Sequence, residues 1–358
     1  MIQYILRRVL SSLPVLLGIL FFTFALAWLL PGDPCRAVLG ERATDQVCDA
    51  FIKRYGLDQS IPVQFSIYLK DVLSGDLGNS LRQARPATEI LIERLPVTIE
   101  LAFLAMLFAT LVGVPLGIIS AYWHNSGVDV STMIGANIGV STPVFVLGLL
   151  LEYTFAVLLK DTFLWLPPSG RLSSGVELPF LAETWQLENL TGFSARLLEF
   201  LSRLYIFNSL VTANWKALGD VIRHMLLPAI AVGTIPLAIV ARMTRSSLLD
   251  VLGLDYIRTA HAKGLEKRAV VLRHGLRNAL LPVITIIGLS LGGLLSGAVL
   301  TETVFNLPGV GRTLFEAITA RDYTVVQAFT LVIAVVFLSV NLIVDVMYAF
   351  LDPRIRLS

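Results

Sequence analysis

Long stretches without a charged residue alternate with charge-rich segments along this chain. The uncharged runs are 9–30, 101–127, 130–151, 225–241, 278–301 and 323–344, the shortest of them 17 residues. A bilayer core about 30 Å thick asks for about 20 apolar residues of helix. Six transmembrane helices are therefore predicted, and the expected fold class is an all-α polytopic membrane protein with long loops on one side. Arg7 and Arg8 precede the first run, and Ala25-Leu26-Ala27 has the small-residue form of a signal cleavage site. The apolar stretch is too long for an ordinary secretory signal, which predicts an uncleaved anchor. Gly32-Asp33-Pro34 in front of Cys35 lacks the small apolar pattern of a lipoprotein cysteine.

Charge sharpens this picture through its distribution. Only 15% of the 358 residues are charged, against about 25% in soluble domains. That deficit excludes an ordinary soluble enzyme and a disordered chain, and a net charge of +2 excludes a nucleic-acid-binding domain. With the N-terminus inside, segments 1–8, 124–131, 242–277 and 352–358 hold 12 Lys/Arg against 5 Asp/Glu. The outer segments 31–100, 152–224 and 302–322 hold 16 against 20. The positive-inside rule then predicts both termini in the cytoplasm. On this topology 1–30 holds the N-terminus and first span, 31–97 an extracytoplasmic loop, and 98–159 the second and third spans. A second outer loop, 160–224, is followed by the last three spans in 225–350, with cytoplasmic loop 242–277, and by a tail, 351–358. Within the second loop, 193–210 is interrupted by Arg196, Glu199 and Arg203, and an amphipathic helix on the outer face is expected there.

Missing chemistry narrows the function. Pro308-Gly309-Val310-Gly311-Arg312-Thr313 lacks the lysine of a phosphate loop, and Asn306 stands where its earlier glycine belongs. No nucleophile elbow, zinc-protease helix or redox cysteine pair is present, and the four histidines show no metal-ligand spacing. The chain is not expected to be an enzyme or to hold a metal or cofactor. Glu100, Glu152, Glu302 and Asp345 all fall near span ends and are expected to be hydrated interfacial acids, which leaves no proton relay at mid-membrane. The remaining intramembrane polarity is small and neutral. Ser141, Thr142, Ser290, Gly293 and Ser296 are candidates for a translocation path, and close helix packing is the alternative for the glycine-rich fifth span. Cys35 and Cys48, both predicted outside, are candidates for a structural disulfide; the alternative is two buried thiols.

The inner loop 242–277 carries eight basic residues and is the most positive part of the chain. Asp255 can cap a short helix, 256–263, that Gly264 can end. Small residues at its centre, Ala260 and Ala262, would let a partner surface approach closely.

Asp255-Tyr256-Ile257-Arg258-Thr259-Ala260-His261-Ala262-Lys263-Gly264-Leu265, followed by His274-Gly275-Leu276-Arg277-Asn278-Ala279-Leu280-Leu281-Pro282, resembles the coupling segment of ABC importer permeases of the dipeptide/oligopeptide/nickel group. That segment has the general form Glu-Ala-Ala-x-x-x-Gly. Here Arg258-Thr259-Ala260 takes the first three places and Gly264 the last, so the contacts of the glutamate do not transfer. Pro31-Gly32-Asp33-Pro34, Tyr55-Gly56-Leu57-Asp58, Gly75-Asp76-Leu77-Gly78, Arg94-Leu95-Pro96-Val97-Thr98 and Arg242-Met243-Thr244-Arg245 resemble the B-type subunit of this group. So do Glu302-Thr303-Val304-Phe305, Leu307-Pro308-Gly309-Val310-Gly311-Arg312, Arg321-Asp322-Tyr323 and Asp352-Pro353-Arg354-Ile355-Arg356. Residues 173–215 match no such pattern.

The resemblance implies a type I importer permease fold and ATP-driven uptake of di- or oligopeptides by alternating access. It implies nickel, glutathione or opines as alternative cargo, and a homologous C-type permease, two cytosolic ATPases and an extracytoplasmic solute-binding protein as partners. ATP and Mg would then sit in the ATPases. It assigns Asp255, Tyr256, Arg258, Thr259, Ala260, Ala262, Lys263, Gly264 and Leu265 to the ATPase contact. A membrane scaffold or a passive channel is the rival from another class.

Overall fold

Helices follow the uncharged runs but outgrow most of them. The computed structural model describes residues 2–29, 35, 43–54, 58–80, 82–187, 190–295 and 298–351. Its helices are α1 (Ile2–Leu29), α2 (Asp45–Arg54), α3 (Ile61–Leu73), α4 (Ala87–Tyr122), α5 (Gly127–Ser141), α6 (Val144–Glu152), α7 (Phe193–Arg203) and α8 (Tyr205–Val211). They continue with α9 (Trp215–Leu252), α10 (Asp255–Ala262), α11 (Leu276–Leu295), α12 (Val299–Val304), α13 (Val310–Thr319) and α14 (Tyr323–Leu351). Five stretches are long and apolar enough to cross a membrane: Tyr4–Ala25, Ala87–Tyr122, Trp215–Leu252, Lys267–Leu295 and Tyr323–Val346. The motif residues Pro31, Gly32, Asp33, Pro34, Tyr55, Gly56, Leu57 and Asp352–Ser358, together with the path candidate Ser296, lie outside the described residues.

The third span breaks at Pro143, whereas Pro115, Pro228 and Pro236 lie inside continuous helices. The run 130–151 has the length of one straight helix, yet α5 and α6 meet at a bend of 98°. Pro143 is the cause. It has no N–H to donate, its ring disfavours helix in the residue before it, and Thr142 accordingly adopts extended backbone (φ −100°, ψ 129°). The stretch 193–210 is likewise two helices, α7 and α8, separated at Leu204, whose backbone leaves the helical region.

The core runs along the crossing of α4 and α9. At one end, Val97, Leu101 and Ala105 pack on Val221, Met225 and Val232; further along, Met106 and Ala109 meet Leu237, Val240 and Ala241. At the end nearest α10, Ala121 and Leu248 join Val271 and Ala279. Glycine sets how close the two helices come. A Cβ at Gly117 would lie 2.6 Å from the Ala241 carbonyl oxygen, and one at Gly233 would lie 2.7 Å from that of Ala105. Burial grades outward from this seam: 72% of the most apolar window of α9 is buried, against 11% for α14. Arg8 and Asp345 pair at 2.7 Å and fasten α1 to α14.

Two outer segments are held by charge. Arg171 donates to Glu100 at 2.5 Å, the Ile206 N–H donates to the same carboxylate at 2.6 Å, and the guanidinium lies 3.7 Å over the Tyr205 ring. This ties the segment after α6 and the start of α8 to α4. Before α2, Cys35 is joined to Cys48 as a disulfide, with Cα atoms 5.3 Å apart.

Gly233→Val should push α4 from α9 and lower stability by about 1–3 kcal/mol, the usual cost of overpacking. Gly219→Ala, on the same helix with nothing within 4 Å of its Cβ position, should leave stability unchanged or raise it. Thermal unfolding of both variants in nanodiscs checks this, and equal melting temperatures would refute the close crossing.

Candidate functional site

The short helix α10 is held against its own chain by one apolar stripe. Ile257 and Ala260, three residues apart, are buried and pack on Val270. Tyr256, Arg258, Thr259, His261, Ala262, Lys263 and Leu265 are exposed. This corrects the expected use of Ala260, whose methyl faces inward onto Val270; Ala262 is the small residue on the open face. Asp255 is the first helical residue, with Leu254 at the cap position, so it complements the positive end of the helix without side-chain capping. Gly264 follows with φ of +78°, a left-handed conformation that stops the helix.

Three contacts link α10 and its flanks to the long helices. Asn278 on α11 donates to the Tyr256 hydroxyl at 2.7 Å. Lys267 donates to the Tyr122 carbonyl at 2.8 Å at the end of α4, and its ammonium lies 4.4 Å from the Tyr122 ring centre. Between them a π-helical turn, Val270–Gly275, brings Gly275 against Leu248 of α9. A push on α10 therefore reaches α4, α9 and α11 together.

Sequence reasoning missed the strongest polar contact nearby. Arg245 of α9 donates to both carboxylate oxygens of Asp129 on α5, each at 2.8 Å. The Ser120 hydroxyl of α4 and the Asn125 N–H donate to the same carboxylate. Asp129 is 4% exposed, so one buried anion binds three helices near the end where α10 lies. A signal existed: Asp129 is the only acid between 101 and 151.

The path candidates fall into two grooves. Ser141 and Thr142 line one of about 540 Å³, along the face of α5 that also presents Asn137, with Asp129 and Arg245 at its end. Ser290 and Gly293 line another of about 460 Å³ with Pro236, Val144 and Thr301. The break at Pro143 separates them, since Thr142 borders the first and Val144 the second. On α11, packing and groove lining divide by face. A Cβ at Gly288 would overlap Val344, whereas Gly293 has nothing within 4 Å.

Two of the four acids expected to be hydrated, Glu100 and Glu302, are buried, whereas Glu152 is partly exposed. Glu302 is fully buried and accepts from the Thr98 hydroxyl at 2.7 Å and from the Arg312 N–H at 2.8 Å, while the Val310 N–H donates to Thr98 at 2.8 Å. Burial pushes the Glu302 carboxyl above its usual range, opposed by the Arg312 N–H, the Thr98 hydroxyl and the Gly311 N–H. A side chain at Gly309 would overlap that carboxyl. The glycine-rich turn that lacks a phosphate-loop lysine thus wraps a carboxyl group of its own chain. Glu100, in its pair with Arg171, is 4% exposed. Asp322 is buried too, accepting from the Ser80 hydroxyl at 2.5 Å.

Membrane-crossing helices, grooves between them and an exposed short helix tied to three of them define a multi-pass membrane transport subunit. The chain belongs to the binding-protein-dependent transport system inner membrane component family, which matches residues 113–357. The N-terminal component of the same family of transport systems matches residues 1–102. A dipeptide transport system permease protein of Alkalihalophilus pseudofirmus is 43% identical over 356 residues, 99% of this chain and 100% of that one. Its counterpart in Escherichia coli is 42% identical over 360 residues, covering 99% of each. A glutathione transport system permease protein of Salmonella choleraesuis is 38% identical, again over 99% of each chain.

Replacing Asp129 by Asn should destabilise the subunit by about 1–2 kcal/mol. That is less than the 3–5 typical of a fully buried pair, because the Arg245 side chain is 29% exposed. Adding Arg245→Met should recover part of the loss by removing the orphaned charge. A double-mutant cycle on melting temperature reads this out, and strict additivity would show that the pair carries no coupling.

Proposed function

We propose that this chain is the permease subunit of an ABC importer that takes up di- or oligopeptides. In this reading it forms half of the translocation pathway, opposite a homologous permease. Two cytosolic ATPases, which would hold ATP and Mg, engage the open face of α10 through Arg258, Thr259, Ala262, Lys263 and Leu265. A solute-binding protein delivers cargo from outside. One observation carries the reading: relatives named as dipeptide permeases align over 99% of the chain; the exposed face of α10, whose other face packs on the bundle, supports it. Closure of the ATPases would move α10, and its ties to α4, α9 and α11 would turn that motion into a switch between inward-facing and outward-facing grooves. Ser141, Thr142, Ser290 and Gly293 would line the route. The glutathione permease relative favours a second cargo, a tripeptide with a modified backbone, handled by the same pathway.

Copurification with stoichiometric ATPases, and ATP hydrolysis stimulated by a peptide-loaded binding protein, separates this reading from a scaffold or a passive channel. Ala262→Trp should leave the subunit inserted but cut uptake about tenfold, equivalent to roughly 1.4 kcal/mol of docking free energy. Ala260→Trp should instead lower the amount of folded subunit, because its methyl packs on Val270. Unchanged peptide uptake with inserted Ala262→Trp would remove α10 from the ATPase contact.

In this reading both termini and residues 242–277 face inside, and the charge bias supports it. Reporters fused after Ser126 and Lys263 should read cytoplasmic, and those after Asp45 and Glu183 extracytoplasmic. The Cys35–Cys48 bridge agrees with an outer, oxidising side for its segment. Alkylation of unreduced protein should find no reactive thiol; two alkylated cysteines, or an inverted reporter pattern, would overturn this orientation.

A further inference from the structure

A groove of about 670 Å³ opens beside α10 where α11 begins, and Tyr256, Arg273, Arg277, Asn278, Leu281 and Ile284 line it. We propose that this groove binds an anionic phospholipid of the inner leaflet. Arg273 and Arg277 would hold its phosphodiester, and Leu281 and Ile284 would lie along an acyl chain.

Four observations support the assignment. First, Arg273 and Arg277 are exposed and, among the described residues, have no carboxylate partner, unlike Arg171, Arg203, Arg245 and Arg312. Second, the neighbouring neutral donors are already committed: Asn278 donates to Tyr256, and the Tyr256 hydroxyl donates to the His274 carbonyl at 3.4 Å. The two guanidinium groups are the cationic donors of the groove, with the His274 ring beside them. Third, chemistry changes abruptly along α11. Arg277 is the last charge before the uncharged run 278–301, so it stands at the membrane boundary. Fourth, Ile284 follows seven residues later, about 10 Å deeper at 1.5 Å per residue. A cationic rim above an apolar wall of that depth matches a headgroup and the start of its tail. Basic pockets between membrane helices on the cytoplasmic side recognise anionic headgroups in this way. Free phosphate would use the rim and leave the wall unused, and an acidic protein surface would not enter the bilayer below Asn278.

The position gives binding a consequence. Tyr256 lies on α10 and Asn278 on α11, so a lipid seated against both would brace the contact through which α10 moves the bundle. The inference rests on the inward placement of residues 242–277, and the reporter fused after Lys263 tests that placement separately.

The experiment uses the assembled importer, stripped of lipid and titrated with phosphatidylglycerol in phosphatidylcholine nanodiscs, with bound lipid read by native mass spectrometry. The intact complex should retain phosphatidylglycerol in preference to phosphatidylcholine. Arg273→Gln with Arg277→Gln should weaken that binding about 25-fold, about fivefold for each charge. The corresponding double lysine variant should keep most of it. Leu281→Trp, which leaves both charges and fills the wall, should also reduce binding. Displacement of the lipid by inorganic phosphate, or full binding by Leu281→Trp, would reduce the site to an anion site and overturn the proposal. No preference for phosphatidylglycerol in the assembled importer would overturn it too. So would a glutamine variant that sheds its ATPases while lipid binding is unchanged, because the arginines would then belong to a protein contact.

Discussion

Where α4 crosses α9, backbone meets backbone, and in a membrane such a contact has few substitutes. Lipid tails are as apolar as leucine, so burying leucine between helices gains little; close packing of small residues has to hold the helices together. Gly117 and Gly233 allow that approach. The main polar contacts gather around the pair they join: the Asp129–Arg245 contact near one end, with α10 just beyond it, and the Glu100 and Glu302 clusters at the other.

The buried carboxylates share one logic. Each sits where separate segments converge, and each is satisfied by donors from more than one of them. Glu302 gathers Thr98 and the turn at 309–312; Asp129 gathers Ser120, Asn125 and Arg245; Glu100 gathers Arg171 and Ile206. An ionised acid removed from water is costly unless it is fully hydrogen-bonded, so these positions tolerate few alternative arrangements of the chain. Several motifs that carry the family resemblance are explained by this. Arg94–Thr98 lies about two hundred residues before the neighbouring motifs Glu302–Phe305 and Leu307–Arg312, and all three meet at a single carboxylate.

Six apolar runs, the charge bias between their ends and the short helix after Leu254 could all be read from sequence, because length, composition and local turn chemistry determine them. The bend at Pro143 could not be read from run length, since 130–151 has the right number of apolar residues and its backbone is diverted at one residue. The inward face of Ala260 was equally hidden: in an eight-residue helix, two apolar positions decide the orientation, and their partner Val270 lies beyond the next turn. Burial of Glu100 and Glu302 depends on residues 71 and 204 positions away, a separation that no local pattern encodes. Placing acids by distance from the span start put them near helix ends but missed the burial of Glu100 and Glu302.

α9 has 38 residues, and Gly233 stands at its midpoint. Each arm is then about 27 Å long at 1.5 Å per residue, and the whole rod is nearly twice the thickness of the hydrocarbon core. A rod pinned at its centre is a see-saw. A tilt of about 5° about that fulcrum carries the two ends about 2 Å in opposite directions, so one side narrows by the same motion that widens the other. Pro228 and Pro236 flank that fulcrum inside an unbroken helix, so a swing of the two arms would couple narrowing at one face to widening at the other.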